Sequence, residues 1–93
     1  MEISVRDDGE HSRYELSVDG EVVGIAEYVL EGSTVVLPHT VIAVDRRGQG
    51  LGEVLVRAAL DDARELGRTV VPDCWYVRQF IDEHPEYRHL VSA

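Results

Sequence analysis

The first half of the chain alternates apolar and polar residues with the period of two that marks half-buried β-strands. The second half changes to the wider spacing of helices. Ile3 and Val5 share one face of a short strand from Glu2 to Asp7, and Asp8-Gly9-Glu10 reads as a turn. From Ser12 to Val18, Tyr14, Leu16 and Val18 fall on one face and Arg13, Glu15 and Ser17 on the other. Asp19-Gly20 is a two-residue hairpin signal. It leads into a third strand, Glu21 to Leu30, with Val23, Ile25 and Val29 set against Val22, Gly24, Ala26 and Tyr28. Glu31-Gly32-Ser33 turns again, and Thr34 to Leu37 opens a fourth strand. Pro38 interrupts that strand, since proline lacks a ladder donor and favours an edge or a bulge, and His39 to Val44 resumes it. The pattern predicts an antiparallel meander of four strands.

Helical spacing begins at about Gly50 and runs to Leu66. Leu51, Val54, Leu55, Ala58 and Ala59 make its apolar face, widened by Val56, Leu60 and Ala63, while Asp61, Asp62, Arg64 and Glu65 point to solvent. Gly67 closes the helix. Thr69-Val70-Val71 is a short buried strand, which after a helical crossover should lie parallel to the fourth, with a right-handed connection. Asp73 is placed to cap a second helix from about Cys74 to His84, with Trp75, Phe80 and Ile81 as core candidates, and Pro85 stops it. In the tail from Glu86 to Ala93, Tyr87 and Leu90 are expected to pack back. A single domain over residues 1–93 accounts for the length.

Charge narrows the function classes. Eighteen acidic residues against nine basic give a net charge of −9, which opposes general affinity for nucleic acid or anionic lipid; the charge either serves solubility or attracts a cationic partner such as an amine. No apolar run is long enough to span a membrane, and the first residues lack the regions of a signal peptide, so a cytoplasmic location is the expectation. The one cysteine, Cys74, excludes an internal disulfide and a cysteine-rich metal site. The four histidines show no metal-ligand spacing, and no metal is expected.

The chemistry concentrates between the fourth strand and the first helix. Val41 to Val44 runs into Asp45-Arg46-Arg47-Gly48-Gln49-Gly50-Leu51-Gly52, a strand breaking through a glycine turn into a helix. Such a junction leaves several N–H groups unpaired and aimed one way, and the helix dipole adds to their preference for an anion, most often a phosphate. The glycine spacing is one residue short of a dinucleotide fingerprint. A Walker A loop needs a lysine, and the chain has none. What stands is Arg47-x-x-Gly50-x-Gly52.

That motif resembles the R/Q-x-x-G-x-G/A turn of the GNAT superfamily, the acyl-CoA-dependent N-acyltransferases. Pro38-His39-Thr40, Val70-Val71-Pro72-Asp73-Cys74 and His84-Pro85-Glu86-Tyr87 extend the likeness to a subfamily of small, single-domain GNAT-like proteins. The resemblance implies an α+β, truncated GNAT fold: a four-stranded meander, a helix, a parallel fifth strand and a final helix. It implies acetyl-CoA as the cofactor, with the turn amides on its pyrophosphate and the pantetheine arm in a cleft between strands four and five. The cofactor residues are then Ile42, Val44, Arg46, Arg47, Gly48, Gln49, Gly50, Leu51 and Gly52, and an N–H near Val44 would polarise the thioester. Full-length members carry helices between their first two strands that shape the acceptor pocket, and here only Asp8-Gly9-Glu10-His11 joins those strands.

Three residues are candidates for catalysis. Cys74, between the fifth strand and the last helix, has three readings: acyl-accepting nucleophile, thiol acid for the departing sulfur, or packed small hydrophobe. His39 is either a proton acceptor or an ordinary strand histidine. Tyr76 either donates to the leaving sulfur or belongs to the core. Glu27 is a further candidate base. Two functions compete: an N-acetyltransferase acting on a small-molecule or protein amine, and a non-catalytic acyl-CoA-binding module that senses the cofactor or docks on a protein. An oligomer could supply a missing pocket wall.

Overall fold

The computed structural model describes residues 1–91. Five strands form one sheet in the order β1 (Ile3–Asp8), β2 (Arg13–Val18), β3 (Glu21–Glu31), β4 (Thr34–Ile42) and β5 (Thr69–Val71). The first four run antiparallel and β5 lies parallel to β4, as the periodicity predicts. Helix α1 (Leu51–Glu65) packs across β2 to β5, and α2 (Trp75–Glu83) packs beside it. A 3-10 turn, Pro85–Leu90, returns Tyr87 and Leu90 to the core; the last two residues of the expected tail lie outside the described residues.

One apolar core joins Tyr14, Leu16 and Val18 of β2 to Ala26 and Tyr28 of β3, Val35 and Leu37 of β4, and Val70 of β5. Leu55, Val56, Ala59, Leu60 and Ala63 close it from α1, and Val77, Phe80 and Ile81 from α2. Three expectations are corrected. In β3 the inward residues are Gly24, Ala26 and Tyr28, while Val29 is exposed. Val23 is buried as well, because a bulge opposite Leu16 and Ser17 shifts the alternation there. Val54 is exposed, because the inward arc of α1 is centred on Leu55, Ala59 and Ala63 and leaves Val54 on the far side. Trp75 is 66% exposed, because α2 buries the stripe Val77, Phe80 and Ile81, and helical spacing puts Trp75 with Arg78, Gln79 and Asp82 instead.

Alternation sends the other strand residues to the opposite face of the sheet. There Glu15 is buried beneath two guanidiniums, Arg6 at 2.9 Å and Arg13 at 3.0 Å. These bonds, Arg6 foremost, hold the Glu15 carboxyl below its ordinary range. A depressed folded value means stability that is present above the unfolded carboxylate pKa and lost as pH falls through the folded one. Stability of Glu15→Gln should therefore fall less steeply than that of the parent chain as pH drops below the ordinary glutamate value. Coincident pH profiles by circular dichroism would contradict this role.

Candidate functional site

The site begins with two prolines. β5 pairs with β4 only through Thr34–Thr69, Val35–Val70 and Val36–Val71. One further bond, from the Cys74 N–H to the Leu37 carbonyl at 3.0 Å, closes the junction. Pro72 then turns the chain away into α2, while β4 continues past Pro38 to Ile42 without a neighbour on that side. Pro38 sits where β3 and β4 slip register between Glu27 and Val29, the bulge that a missing N–H favours. The sheet splays, and a cleft of about 520 Å³ opens in the gap. His39, Thr40, Val41 and Ile42 form one wall and Cys74, Trp75 and Tyr76 the other. Arg46, Arg47, Gly48, Leu51 and Gly52 line it where α1 begins.

The strand ends at Ile42, two residues earlier than the pattern predicts, and Val44–Arg46 forms a 3-10 turn. The Val44 side chain is 77% exposed and does not line the cleft, which corrects its place in a strand wall; its N–H has no intramolecular acceptor among the described residues. The amides of Gly48, Gln49 and Gly50 likewise find no acceptor among the described residues. Gly48 and Gly50 stand at φ +80° and +76°, and a Cβ built on either meets nothing within 4 Å. Those φ values favour glycine, and the space above the turn is open. Gly50 precedes Leu51 as the N-cap without a side-chain cap, so the first-turn N–H groups of α1 add to the set. A pyrophosphate fits this donor set in both charge and access. Gln49 and Gly50 are exposed and border the turn without lining the cleft.

Both arginines at the turn are engaged locally. Arg47 donates from Nε to the Ile42 carbonyl at 3.0 Å, which leaves its terminal nitrogens to other acceptors. Arg46 reaches Glu21 at 3.3 Å, a pair whose carboxylate is 70% exposed and easily exchanged for a phosphate.

At the root of the cleft the Cys74 thiol is buried and lies 3.8 Å from the Thr40 hydroxyl, a neighbour that sequence reasoning did not single out. Asp73 does not cap α2: Cys74 occupies that position without a side-chain bond, and the Asp73 carbonyl takes a hydrogen bond from Arg78 at 2.9 Å. Tyr76 leans over the start of α1, so close that a Cβ on Gly52 would come within 2.8 Å of its hydroxyl. Burial, then the carboxylates of Glu53 and Glu83, raise the Tyr76 phenol above its ordinary value, so it keeps its proton at neutral pH. His39 is exposed on β4, opposite Glu27 of β3. The structure thus gathers His39, Ile42, Arg46, Arg47, Gly48, Leu51, Gly52, Cys74 and Tyr76 around one cleft, and adds Thr40 and Trp75. The periodicity that separates Trp75 from Val77, Phe80 and Ile81 was the available signal for its exposure.

A family model described as GCN5-related N-acetyl-transferase matches residues 13–90, which contain every strand and helix of this cleft. The chain belongs to the GCN5-related N-acetyltransferase family. Relatives agree. Protein NATD1 of Bos taurus is 32% identical over 92 residues, covering 95% of this chain and 80% of its own length. Protein NATD1 of Xenopus tropicalis is 33% identical over 89 residues, covering 96% and 73%.

Solved structures share the fold. A GCN5-like protein from Staphylococcus aureus superposes with a TM-score of 0.71 at 17% identity, covering 99% of this chain and 88% of its own. The ribosomal-protein-S18-alanine N-acetyltransferase of Escherichia coli gives 0.60 at 20% identity over 62% of this chain. This chain spans only 38% of that enzyme's length. In this chain a tight turn joins β1 directly to β2. Among the described residues no helix is long and apolar enough to cross a membrane.

Proposed function

We propose that this chain is an acetyl-CoA-dependent N-acetyltransferase that works through the cleft between β4 and β5. The observation that carries the reading is continuity: one cleft joins the glycine turn, with its free amides, to Cys74 and Tyr76 at the parting of the two strands. Acetyl-CoA supplies an acetyl group activated as a thioester. The amides of residues 48–52 and the guanidinium of Arg47 hold the pyrophosphate, and Arg46 exchanges Glu21 for a phosphate oxygen. The N–H of Val44 stands at the end of the β4 wall and is free to polarise the carbonyl. His39, exposed in the cleft, takes the proton released by the attacking amine as its C–N bond forms. The protonated Tyr76 hydroxyl donates to the sulfur as its bond to carbon breaks. Cys74, buried beside Thr40, supports the same site from its root.

Calorimetric titration with CoA and acetyl-CoA tests the cofactor half: micromolar binding is expected, weakened at least about tenfold in Arg47→Glu. Mass spectrometry of acetyl-CoA with pooled amines tests transfer. Cys74→Ala should slow that transfer while keeping CoA affinity within about twofold, a difference of less than ~0.5 kcal/mol. An acetyl adduct on Cys74 in the parent chain would make the thiol an acyl carrier, and unchanged turnover in the variant would remove it from the chemistry. The tight β1–β2 turn favours a second reading, a cofactor-binding module without transfer activity. Binding with no product from any amine would select that reading.

A further inference from the structure

Gly48, Gly50 and Gly52 alternate through the turn, but a different constraint holds the third. Gly48 and Gly50 have positive φ and open space beyond their Cα atoms. Gly52 has neither. It lies in the first turn of α1 without a positive φ, where alanine is the better helix former. A Cβ built there is aimed at one side chain. Its three nearest atoms are the Tyr76 hydroxyl oxygen at 2.8 Å and two Tyr76 ring carbons at 3.1 and 3.2 Å. The Tyr76 ring therefore lies directly on the bare backbone of α1.

Among the described residues the Tyr76 hydroxyl has no hydrogen bond, so packing alone sets its place. The ring is half-buried and meets Trp75 edge-on at 5.7 Å. It stands between two spaces, the main cleft and a cavity of about 90 Å³ lined by Glu53, Gln79, Phe80 and Glu83. A side chain with room on two sides stops where its firm contact stops it, and that contact is Gly52.

We infer that Gly52 is a positioning residue for the leaving-group step: its missing side chain seats the Tyr76 hydroxyl at the cleft. The inference rests on the proposed acetyltransferase reading, in which Tyr76 donates to the departing sulfur. As the amine nitrogen bonds to the carbonyl carbon, the C–S bond breaks and the sulfur keeps the electron pair. The sulfur takes the phenolic proton, and the proton that His39 receives from the amine balances it. Gly52 thus has a task apart from the pyrophosphate. Its N–H is a donor whatever the side chain, whereas its lack of a Cβ acts through Tyr76.

Gly52→Ala and Tyr76→Phe, singly and together, test it with acetyl-CoA and pooled primary amines as substrates. Gly52→Ala should slow transfer at saturating acetyl-CoA at least about tenfold, since a displacement of about 1 Å forfeits much of what an acid group contributes. Its CoA affinity by calorimetry should stay within about twofold. Its melting midpoint should stay close to the parent's, because the atom in the way is the free end of a side chain and alanine suits the helix. In the Tyr76→Phe background the same change should slow transfer less than about twofold further, because the hydroxyl it displaces is gone. A full rate in Gly52→Ala, losses that multiply in the double variant, or lost CoA affinity with an unchanged saturated rate would each overturn the inference. A parent chain that binds CoA yet acetylates none of the amines would overturn the acetyltransferase reading itself, so the parent and the variants report on the two claims separately.

Discussion

Gly50→Asp should cost the chain at least about a hundredfold in CoA affinity while leaving it folded. A carboxylate placed about 5 Å from a pyrophosphate at a partly exposed site opposes it by roughly 3 kcal/mol. Gly50 stands at φ +76° with open space beyond its Cα, so the new side chain meets no atom and puts its charge on the turn proposed to hold the pyrophosphate. Aspartate tolerates the left-handed region better than most residues, at about 1 kcal/mol, which lowers the melting midpoint of a chain this size by about 4–8 °C. Calorimetry with CoA and a thermal melt separate the two effects. A variant that melts as expected yet binds CoA like the parent would show that the turn does not hold the pyrophosphate.

The second large effect is on stability. Leu60 is fully buried between α1 and the sheet, within the same cluster as Leu16, Val56 and Val70. Leu60→Ala removes that contact and leaves a cavity, at about 2–5 kcal/mol. A domain of this size has about 5–15 kcal/mol in total, so the midpoint should fall by about 10–30 °C. Val54→Ala on the same helix, at an exposed position, should change stability by no more than about 0.5 kcal/mol. Chemical denaturation of both variants checks the pair. Equal losses would mean that α1 docks through the arc containing Val54 rather than the one centred on Leu55 and Ala59.

That contrast shows what the residues alone could and could not tell. Strand alternation in β2 was legible because Tyr14, Leu16 and Val18 repeat without a break, and the meander followed from its turns. β3 was harder, since the bulge opposite Leu16 and Ser17 changes which residues face inward, and a register shift leaves no mark in an apolar run. α1 was legible as a helix but ambiguous in rotation. Val54 and Ala58 extend its apolar arc on one side, Val56, Leu60 and Ala63 on the other, and only the packed sheet and α2 decide between them. Trp75 was misplaced by its size: a large aromatic reads as core, yet the spacing of Val77, Phe80 and Ile81 already leaves it outside.

The site was legible in part for a similar reason. The glycine turn and Cys74 stand at ends of elements, and the ends of strands and helices are fixed by short motifs. The end of β4 was misjudged because Ala43 and Val44 continue the apolar composition after the ladder has stopped at Ile42. Thr40 and Trp75 enter the cleft through the divergence of β4 from β5. That divergence depends on where Pro72 turns the chain, a three-dimensional consequence of one missing N–H.

The central claim is that main-chain N–H groups at the start of α1 bind the CoA pyrophosphate, and amide-resolved NMR tests it most directly. On titration with CoA, the largest shift changes are expected at Gly48, Gln49, Gly50, Leu51, Gly52 and Glu53, saturating together with the heat of binding. Saturable CoA binding that leaves those amides unmoved would contradict the account.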